Sequence, residues 1–574
     1  MLFPTPSSNP HLALCLAEFA TLPEALDYAA RGETGINFYS GKGELVETLP
    51  YADLRLQAIG LARRLLQAGL QCGDRVALVA ESDGDFMRAF FACQYARLIP
   101  TPLPLPVAFG GKEGYIDHIR HMIDNVGAVA AFGPESIEAW LIEATEGLGL
   151  KIVGTLNALE GIPESDAELP EPSPADLSYI QFSSGSTRFP LGVAVTHQAL
   201  MANAKAISQH GVVLRENDRT VSWLPLYHDL GLVGFMLTPL TCQMTIDLLP
   251  TREFARRPLV WLNLIARNRG TVAFSPSFGY ELCARRAKTA SIDDIDLSSW
   301  RVAGIGGDMI RSRILADFSD RFASCGFRRE AFVASYGMAE ATVALSFAPL
   351  NTGIRSDTVD MDMLEGNRLA KPSINSGTRN REFVLCGSIL PGHQLELRDD
   401  DGNVLAEREV GRVFVQGPSL MSGYFGREEE TARVLSADGW LDTGDIGYQL
   451  NGEIVITGRA KDLMIVNGRN IWPQDLEWVA EAEVPTLRSG DLAVFSADME
   501  DNEKIFALVQ CRTNNEQVRD ALKIEVASVL RLRHGVDATV ILVPPHSLPQ
   551  TSSGKLSRNK ARSMFLGGAF APAS

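Results

Sequence analysis

A run of small hydroxyl and glycine residues lies between two apolar segments of this chain. It reads Tyr-Ile-Gln-Phe-Ser-Ser-Gly-Ser-Thr-Arg-Phe-Pro-Leu-Gly over residues 179–192, and Val193-Ala194-Val195 then resumes a strand pattern. Small residues let backbone N–H groups approach an anion closely, and Ser and Thr hydroxyls add donors. The pattern fits a loop that holds a polyphosphate. It fits a surface hairpin turn equally well, because Ser- and Gly-rich turns are common.

The loop does not match the common nucleotide-binding motifs. A Walker loop needs Gly, four residues and then Gly-Lys-Ser/Thr, whereas six residues separate Gly185 from Gly192 and no Lys follows. The segment 304–309, Gly-Ile-Gly-Gly-Asp-Met, lacks the last glycine of a dinucleotide fingerprint.

Five further segments carry side chains that could bind or activate a ligand. They are 225–232 (Pro-Leu-Tyr-His-Asp-Leu-Gly-Leu), 335–340 (Ser-Tyr-Gly-Met-Ala-Glu), 439–445 (Gly-Trp-Leu-Asp-Thr-Gly-Asp), 458–462 (Gly-Arg-Ala-Lys-Asp) and 548–555 (Leu-Pro-Gln-Thr-Ser-Ser-Gly-Lys). The first two follow predicted strands. Ligands of parallel α/β sheets bind outside the carboxyl ends of strands, so we expect these segments to converge with the Ser/Gly loop.

Apolar runs and helical periods alternate through most of the chain. A strand at 75–80 precedes a helix at 85–96, and the alternation continues to a strand at 332–336. Strand, helix and strand in this rhythm predict a parallel sheet with crossover helices. Later strands are short and separated by turn residues, with a strong hairpin signal at Asn451-Gly452.

The predicted fold class is therefore α/β with several parts. A large N-terminal domain, 1–457, combines parallel-sheet α/β subdomains with a small antiparallel β subdomain at about 385–457. A polar segment at about 351–381 interrupts it as an insertion. A small α+β domain, 458–574, completes the chain.

Composition excludes several classes of function. The chain has 574 residues, 45% of them hydrophobic and 21% charged, which is typical of a globular protein of two or more domains. The formal net charge of −17 argues against nucleic acid as a partner. Apolar runs of the ~18 to 20 residues that an integral membrane segment requires are absent from the sequence. The N-terminus lacks a signal-peptide pattern and the eight cysteines lack CxxC spacing, so we expect a cytoplasmic location.

The six motifs, in this order over nearly the whole chain, resemble those of the adenylate-forming superfamily of acyl- and aryl-CoA ligases, peptide-synthetase adenylation domains and luciferases. Within it the chain is most similar to the fatty acyl-AMP ligases. Ala339 stands where CoA ligases generally have Thr, 468–477 reads Gly-Arg-Asn-Ile-Trp-Pro-Gln-Asp-Leu-Glu, and 46 residues separate Glu340 from Gly387. The acyl-AMP ligases carry an insertion at that last place.

The resemblance implies a two-step reaction with ATP and Mg²⁺. A fatty acid carboxylate attacks the α-phosphorus of ATP and releases pyrophosphate, and the acyl group then passes to the phosphopantetheine thiol of an acyl carrier protein. Lys555 would neutralise the developing charge, Glu340 would hold Mg²⁺, and His228 would lie by the acyl carboxylate. Lys461 would be the hinge about which a mobile C-terminal domain turns.

The resemblance also implies a nucleotide site. Tyr336 would stack on adenine, and Asp445 would accept both ribose hydroxyls with Arg459 as an added donor. The residues expected to bind ATP or AMP are Ser183, Ser184, Gly185, Ser186, Thr187, Arg188, Gly306, Gly307, Asp308, Ser335, Tyr336, Gly337, Met338, Ala339, Asp445 and Arg459. Taken singly, a solvated Lys, a helix-dipole Glu, a core Tyr and a turn Asp would explain several of these residues without any site.

Two departures from the family pattern affect the phosphate contacts. The usual loop reads Ser-Gly-Ser-Thr-Gly-x-Pro-Lys-Gly, whereas Arg188-Phe189 replaces the Gly-x pair here and Leu191 replaces the Lys. We hypothesise that Arg188 supplies the missing charge, because a guanidinium binds phosphate bidentately. Ala339 lacks a hydroxyl for the α-phosphate, and Thr342 or a backbone N–H is the expected substitute.

Three alternatives remain open. An acyl-CoA ligase shares the adenylation site and differs in the thiol acceptor. An amino-acid adenylation protein would need a carboxylate near the pocket, where Asp229 is the candidate. A nucleotide- and lipid-binding regulator without turnover would fit the altered loop, but Glu340, Asp445, Arg459 and Lys555 argue against it.

Two further sets of residues bear on the substrates. An acidic carrier protein would need a basic face, and the candidates are Arg531, Arg533, His534, Lys555, Arg558, Lys560 and Arg562. The depth of an acyl pocket would depend on the packing of Met236, Phe274, Phe278 and Tyr280.

Overall fold

The structure is a computed structural model that describes residues 12–106, 111–183, 190–373, 379–466, 469–499, 502–550 and 556–570. The strands, numbered in chain order, are β1 Gly35–Tyr39, β2 Leu45–Pro50, β3 Arg75–Val79, β4 Ile99–Leu103, β5 Ala130–Phe132, β6 Ile152–Gly154, β7 Leu177–Phe182, β8 Gly192–Thr196, β9 Arg219–Ser222, β10 Thr245–Leu248, β11 Val272–Ser275, β12 Val302–Ile305, β13 Phe332–Tyr336, β14 Ser346–Phe347, β15 Ser356–Asp360, β16 Asn380–Val384, β17 Ser388–Ile389, β18 Gln394–Arg398, β19 Gly411–Gln416, β20 Gly423–Tyr424, β21 Leu441–Leu450, β22 Glu453–Arg459, β23 Met464–Val466, β24 Arg469–Ile471, β25 Leu492–Met499, β26 Asn502–Gln510 and β27 Ala538–Val543.

The α-helices are α1 Leu22–Ala29, α2 Tyr51–Gln67, α3 Gly84–Tyr95, α4 Lys112–Asn125, α5 Glu138–Thr145, α6 His197–Ala206, α7 Thr238–Thr241, α8 Thr251–Arg256, α9 Leu259–Asn268, α10 Ser277–Ala287, α11 Ser312–Phe322, α12 Met361–Asn367, α13 Glu428–Val434, α14 Pro473–Glu483, α15 Glu516–His534 and α16 Arg558–Leu566. A π-helix, Leu230–Leu237, leads into α7. Across the described ranges, none of these helices combines the length and apolar character needed to cross a bilayer.

The largest sheet organises the site. Its strand order is β17-β14-β13-β12-β11-β9-β10-β1-β2. The six strands from β13 to β1 are parallel to one another, and the outer strands on both sides are antiparallel. The helices between these strands cover the sheet, and the carboxyl ends of the strands meet at one edge. This arrangement confirms the α/β prediction.

A second parallel sheet, β4-β3-β5-β6, follows the same logic. Between the two sheets, β7 and β8 form an antiparallel hairpin that β20 extends. The hairpin flanks the Ser/Gly loop, as the sequence predicts. The loop residues 184–189 themselves lie outside the described residues.

Two smaller sheets complete the chain. The antiparallel sheet β18-β19-β21-β22 contains the predicted hairpin turn, where Asn451 has φ 53° and Gly452 has φ 76°. Positive φ at both positions is what a tight hairpin turn requires. The C-terminal module, which we define as 464–566, packs α14, α15 and α16 on the sheet β25-β26-β27.

The C-terminal module has apolar clusters of its own, built around residues such as Leu476, Val526 and Phe506. Trp472, at the start of this module, belongs instead to the core of the larger part. The domain boundary at 457/458 and the mobility of the module therefore stay predictions.

The polar segment 351–381 is more regular than its sequence suggests. It contains β15, α12 and the start of β16, and β15 pairs with β16 in an antiparallel ladder. Helix α12 has seven residues and buries Met361 and Leu364. A helix this short shows too few turns to give a visible apolar period.

Candidate active site

A cavity of about 480 Å³ lies between the large sheet and the C-terminal module. The ends of β12 and β13 form one wall, and β21, β22 and α14 form the others. The predicted residues that line it are Gly307, Asp308, Ser335, Tyr336, Gly337, Asp445, Arg459 and Lys461. The structure thus brings together motifs that are more than 150 positions apart in the sequence.

Asp445 is the best-defined polar group of this cavity. The Tyr336 hydroxyl donates to Asp445 Oδ2 at 2.8 Å, and Arg459 Nε lies 3.2 Å from Asp445 Oδ1. The ladder of β21 and β22 sets the second contact, because Asp445 and Arg459 are paired in its register. Burial raises the pKa of the Tyr336 hydroxyl far above its usual range, with the Asp445 charge as a second cause, so Tyr336 remains a donor.

Asp445 is 5% exposed, whereas half of the Arg459 side chain is accessible. The carboxylate charge of Asp445 raises the pKa of Arg459. A buried carboxylate held by one tyrosine and one arginine is a fixed acceptor, which suits recognition of neutral hydroxyl groups.

Backbone approaches explain the glycines at the sheet edge. A Cβ on Gly306 would lie 2.5 Å from Ser335 Oγ, and a Cβ on Gly337 would lie 1.9 Å from the Val343 carbonyl oxygen. Gly307 has φ 76° and lines the cavity. Side chains at these positions would close the gap between β12 and β13 or strain the turn.

Glu340 lies in a different corner of the site. The Tyr424 hydroxyl donates to Glu340 Oε1 at 2.9 Å, and burial raises the pKa of that hydroxyl. Tyr424 pairs with Val193 of β8, so Glu340 faces the base of the Ser/Gly hairpin. Tyr424 is absent from the sequence prediction. Its neighbours in the sequence, Gly423 and Phe425, do not mark it clearly as a site residue.

A second, apolar cavity of about 70 Å³ adjoins the first. The two share a wall formed by Gly307, Ser335, Tyr336 and Gly337. Asp229 also lines the apolar cavity, and its Oδ1 accepts from the Leu230 N–H at 2.8 Å. His228 comes directly before Asp229 in the sequence and is half-buried. Its predicted place by an acyl carboxylate stays a prediction.

The pocket residues named from the sequence divide into three groups. Phe274 lines the apolar cavity, and Phe278 lines the larger one. Met236 and Tyr280 are fully buried in the core instead. Apolar residue types alone do not show which side chains of a buried element line a cavity and which pack in the core.

Several site predictions lie outside the described residues. They are Ser184, Gly185, Ser186, Thr187, Arg188 and Lys555. Ser183 is described, and its N–H donates to the Leu191 carbonyl at 2.9 Å, which closes the base of the hairpin. Met338 and Ala339 are half-buried beside Glu340 and do not line either cavity.

The expectation that Thr342 replaces the missing hydroxyl of Ala339 is wrong. Thr342 is 1% exposed, and its hydroxyl donates to the Ser419 carbonyl at 2.7 Å. Its backbone adopts φ 70°, which turns the side chain into the interior. A backbone N–H remains as the predicted substitute.

The larger cavity is linked to the C-terminal module by charged residues that were not predicted from the sequence. Arg311 Nη1 lies 3.2 Å from Glu481 Oε2, and the Arg311 guanidinium stacks over Trp478 at 4.6 Å. Burial, opposed by Arg311, raises the pKa of Glu481 to about 7. In the sequence, these residues are indistinguishable from solvated charges on helices.

The raised pKa of Glu481 predicts a pH-dependent stability. Between about pH 4.5 and 7 the folded chain binds more protons here than the unfolded chain, so this contribution to stability is present at low pH and is lost as the pH rises. We expect the melting temperature of Glu481→Gln to fall less than that of the wild type between pH 5 and 7.5. The difference should correspond to roughly 1–3 kcal/mol. Three groups face the Glu481 carboxyl group, namely Arg311, Glu477 and the Gly490 N–H. They are present in both the wild type and Glu481→Gln, so they do not account for a difference between the two.

Glu483→Gln is the matched control. Glu483 is the last residue of the same helix, α14, and its carboxylate pairs with Arg533 at 2.7 Å. Equal pH dependence in the wild type and Glu481→Gln would contradict the assignment.

Comparison with known proteins decides the family. The family model described as AMP-binding enzyme matches residues 30–425 of this chain, which is more than half of it. The chain belongs to the AMP-binding enzyme family. It is an ATP-dependent acid ligase that forms adenylates, and its structure has the fold of that family.

Relatives within the AMP-binding enzymes narrow the comparison. A Caulobacter vibrioides protein named "Putative acyl-CoA synthetase" is 56% identical over 570 residues, 99% of both chains. The Moorena producens medium-chain-fatty-acid–[acyl-carrier-protein] ligase JamA is 30% identical over 96% of both chains. A solved structure from studies of fatty acyl-adenylate ligases from E. coli and L. pneumophila has a TM-score of 0.93 and 43% identity, and covers 98% of this chain and 100% of its own.

Proposed function

We propose that this AMP-binding enzyme is a fatty acyl-AMP ligase that retains its acyl-adenylate in the presence of CoA and transfers the acyl group to the phosphopantetheine of an acyl carrier protein. The observation that carries the proposal is a set of buried ionic contacts between the segment 351–381 and the C-terminal module. Turning the module towards a thiol step would break these contacts, and a carrier protein offsets that cost through its own contacts with the enzyme, which free CoA lacks.

Glu365 of α12 is the centre of these contacts. It is 1% exposed, its Oε1 lies 2.7 Å from Arg379 Nη2, and its Oε2 lies 3.5 Å from Arg469 Nε. The Asn470 side-chain amide donates to the Glu365 carbonyl at 3.2 Å. Arg469 and Asn470 belong to β24 of the C-terminal module, so one buried carboxylate joins both parts.

Arg379 and one further arginine, Arg381, extend the contact. Arg379 Nε donates to the Arg533 carbonyl at the end of α15 at 3.1 Å, and Arg381 is ion-paired with Asp475 of α14. Arg381 also stacks over Phe383 at 4.2 Å. When the module turns, these charged groups lose their partners to water, and a hydrogen bond to a charged group contributes about 1.5–3 kcal/mol. This cost supports a module that favours the position it has in this structure.

Product partition tests the proposal. With ATP, Mg²⁺ and a labelled mid-chain fatty acid, we expect acyl-adenylate to persist when CoA is added and to be consumed when a phosphopantetheinylated carrier protein is added. In Glu365→Gln the charge that joins the two parts is gone while the side-chain shape is kept. A loss of about 1.4 kcal/mol would raise the population of a turned module about tenfold, and acyl-CoA should rise accordingly.

The matched control is Arg368→Gln. Arg368 directly follows α12, but its guanidinium pairs with Asp400 at 2.8 Å. It is not among the described residues that contact Arg469 or Asn470. Wild-type protein that converts its adenylate to acyl-CoA as fast as it forms it would refute the acyl-AMP proposal and favour the CoA ligase alternative.

The residues of the larger cavity suit ATP. Tyr336 would carry the adenine, Asp445 and Arg459 the ribose, and Lys555 and the Ser/Gly loop the phosphates. Mg²⁺ is bound in nucleotide enzymes by one or two carboxylates and the substrate's phosphates, and Glu340, at the base of the Ser/Gly hairpin, fits that role. The metal would neutralise phosphate charge.

The carrier protein as acceptor is supported by the name of JamA. The basic face proposed from the sequence is weaker than expected. Arg531 pairs with Asp537 at 2.6 Å, Arg533 with Glu483 at 2.7 Å, and Arg558 turns inward to Glu477 at 2.6 Å. Lys560 is exposed on α16 and remains the clearest candidate for a contact with an acidic carrier.

A further inference from the structure

Two threonines in the lining of the apolar cavity have buried hydroxyl groups that the hydrocarbon around them does not satisfy. Thr220 of β9 and Thr238 of α7 line it, and each is 2% exposed. Among the residues that the structure describes, neither side-chain oxygen has a hydrogen-bond partner. The other walls near them are apolar and include Leu214, Pro239, Met244 and Val272.

Both hydroxyls lie deep in the cavity, far from the wall shared with the nucleotide site. In the sheet, Thr220 pairs with Val272 and Val272 pairs with Val302. Val302 is four residues before Gly306, which at ~3.3 Å per residue places the Thr220 level about 13 Å below the sheet edge.

The π-helix Leu230–Leu237 gives a similar depth. A Cβ on Gly307 would lie 3.9 Å from Leu230 Cδ2, so Leu230 is at the mouth. Leu230, Gly234, Phe235 and Thr238 all line the cavity. Thr238 is eight residues beyond Leu230, just after the end of the π-helix, which rises less per residue than the 1.5 Å of an α-helix and so places Thr238 roughly 10 Å from the mouth.

An unsubstituted hydrocarbon chain would leave both hydroxyls without partners. A buried hydroxyl without a partner is unfavourable, and a pocket that holds one discriminates against a ligand that cannot satisfy it. A threonine hydroxyl both donates and accepts. Two of them at a similar depth can accept from and donate to a ligand hydroxyl, or donate to a keto oxygen.

We propose that the acyl pocket is built for a fatty acid that carries an oxygen function, a hydroxyl or keto group, far from its carboxylate. The inference rests on the proposed function, since it names the substrate class of the same site. The oxygen would bond to Thr220 and Thr238 while the carboxylate lies at the shared wall beside the nucleotide.

The test compares fatty acids of one chain length. Pyrophosphate release is measured with the unsubstituted acid, the acid hydroxylated next to the carboxyl end, and the acids with a hydroxyl or a keto oxygen towards the distal end. One neutral hydrogen bond corresponds to about tenfold. We expect kcat/KM for one of the distally oxygenated acids to exceed that for the unsubstituted acid by about tenfold or more.

The variant Thr220→Val/Thr238→Val should remove this preference, so that kcat/KM for the distally oxygenated acid falls to about that for the unsubstituted acid. Thr101→Val is the matched control: Thr101 is fully buried on β4 and its hydroxyl also lacks a partner among the described residues, but it lines neither cavity. Thr101→Val should keep the wild-type preference.

Three results would overturn the inference. They are a wild type that prefers the unsubstituted acid, a preference that the double variant retains, and a double variant that slows all acids equally. Pyrophosphate release does not depend on the thiol acceptor. The inference can therefore fail while the acyl-AMP ligase proposal stands, whereas failure to adenylate any of these acids would overturn both.

Discussion

Replacing Lys555 with alanine is expected to slow acyl-adenylate formation by roughly 10²- to 10³-fold, which is the usual effect of losing one donor that stabilises transition-state charge. Lys555 lies outside the described residues, so this expectation comes from its motif at 548–555. The attack of a carboxylate on ATP brings two anions together, and a fixed cation lowers the cost of doing so. Exchange of labelled pyrophosphate into ATP measures this half-reaction directly.

Lys560→Ala is the control for Lys555→Ala. It removes the same charge from an exposed position on α16, five residues later in the chain. We expect it to leave the exchange rate unchanged. Full exchange activity in Lys555→Ala would show that another group supplies the cation.

Asp445→Ala should weaken the use of ATP by about a hundredfold or more in kcat/KM. The carboxylate would accept both ribose hydroxyls, and a hydrogen bond to a charged group contributes about 1.5–3 kcal/mol. The variant also leaves the Tyr336 hydroxyl without its acceptor and Arg459 without its partner. Initial rates of pyrophosphate release at varied ATP concentration separate KM from kcat.

Asp445→Asn refines this expectation, because it keeps the shape and one carbonyl acceptor but not the charge. We expect an intermediate loss. Asp438→Asn, at an exposed turn before β21, is the control and should leave the KM for ATP as it is. A normal KM in Asp445→Ala would place the ribose elsewhere.

The sequence predicted the order of elements well where local signals are strong. Asn451-Gly452 specifies its hairpin turn because both positions need positive φ. The strands that end at Ile305 and Tyr336 follow from short apolar runs between helices, and they place the predicted nucleotide residues at one sheet edge. Helix α9 begins at Leu259, because α8 ends at Arg256 and Pro258 precedes the new helix.

Contacts between distant segments could not be predicted in this way. Tyr424 contacts Glu340, which is 84 residues away in the sequence, and Glu365 contacts Arg469, which is 104 residues away. No local sequence pattern predicts either pair. The first strands, β1 and β2, were also missed. The alternation recognised in the sequence starts only at 75–80, yet β1 lies inside the largest sheet next to β10.

The wall that both cavities share has a consequence for inhibition. Gly307, Ser335, Tyr336 and Gly337 line the larger cavity, proposed for the nucleotide, and also the apolar cavity, proposed for the acyl chain. A single compound with an adenosine-like half and an acyl-like half, joined by a short uncharged linker, would span both spaces. Its second half would bind at a high effective concentration, because translational freedom is lost only once. Such a compound should bind far more tightly than either half alone, and the oxygenation of its acyl half offers a means of selectivity.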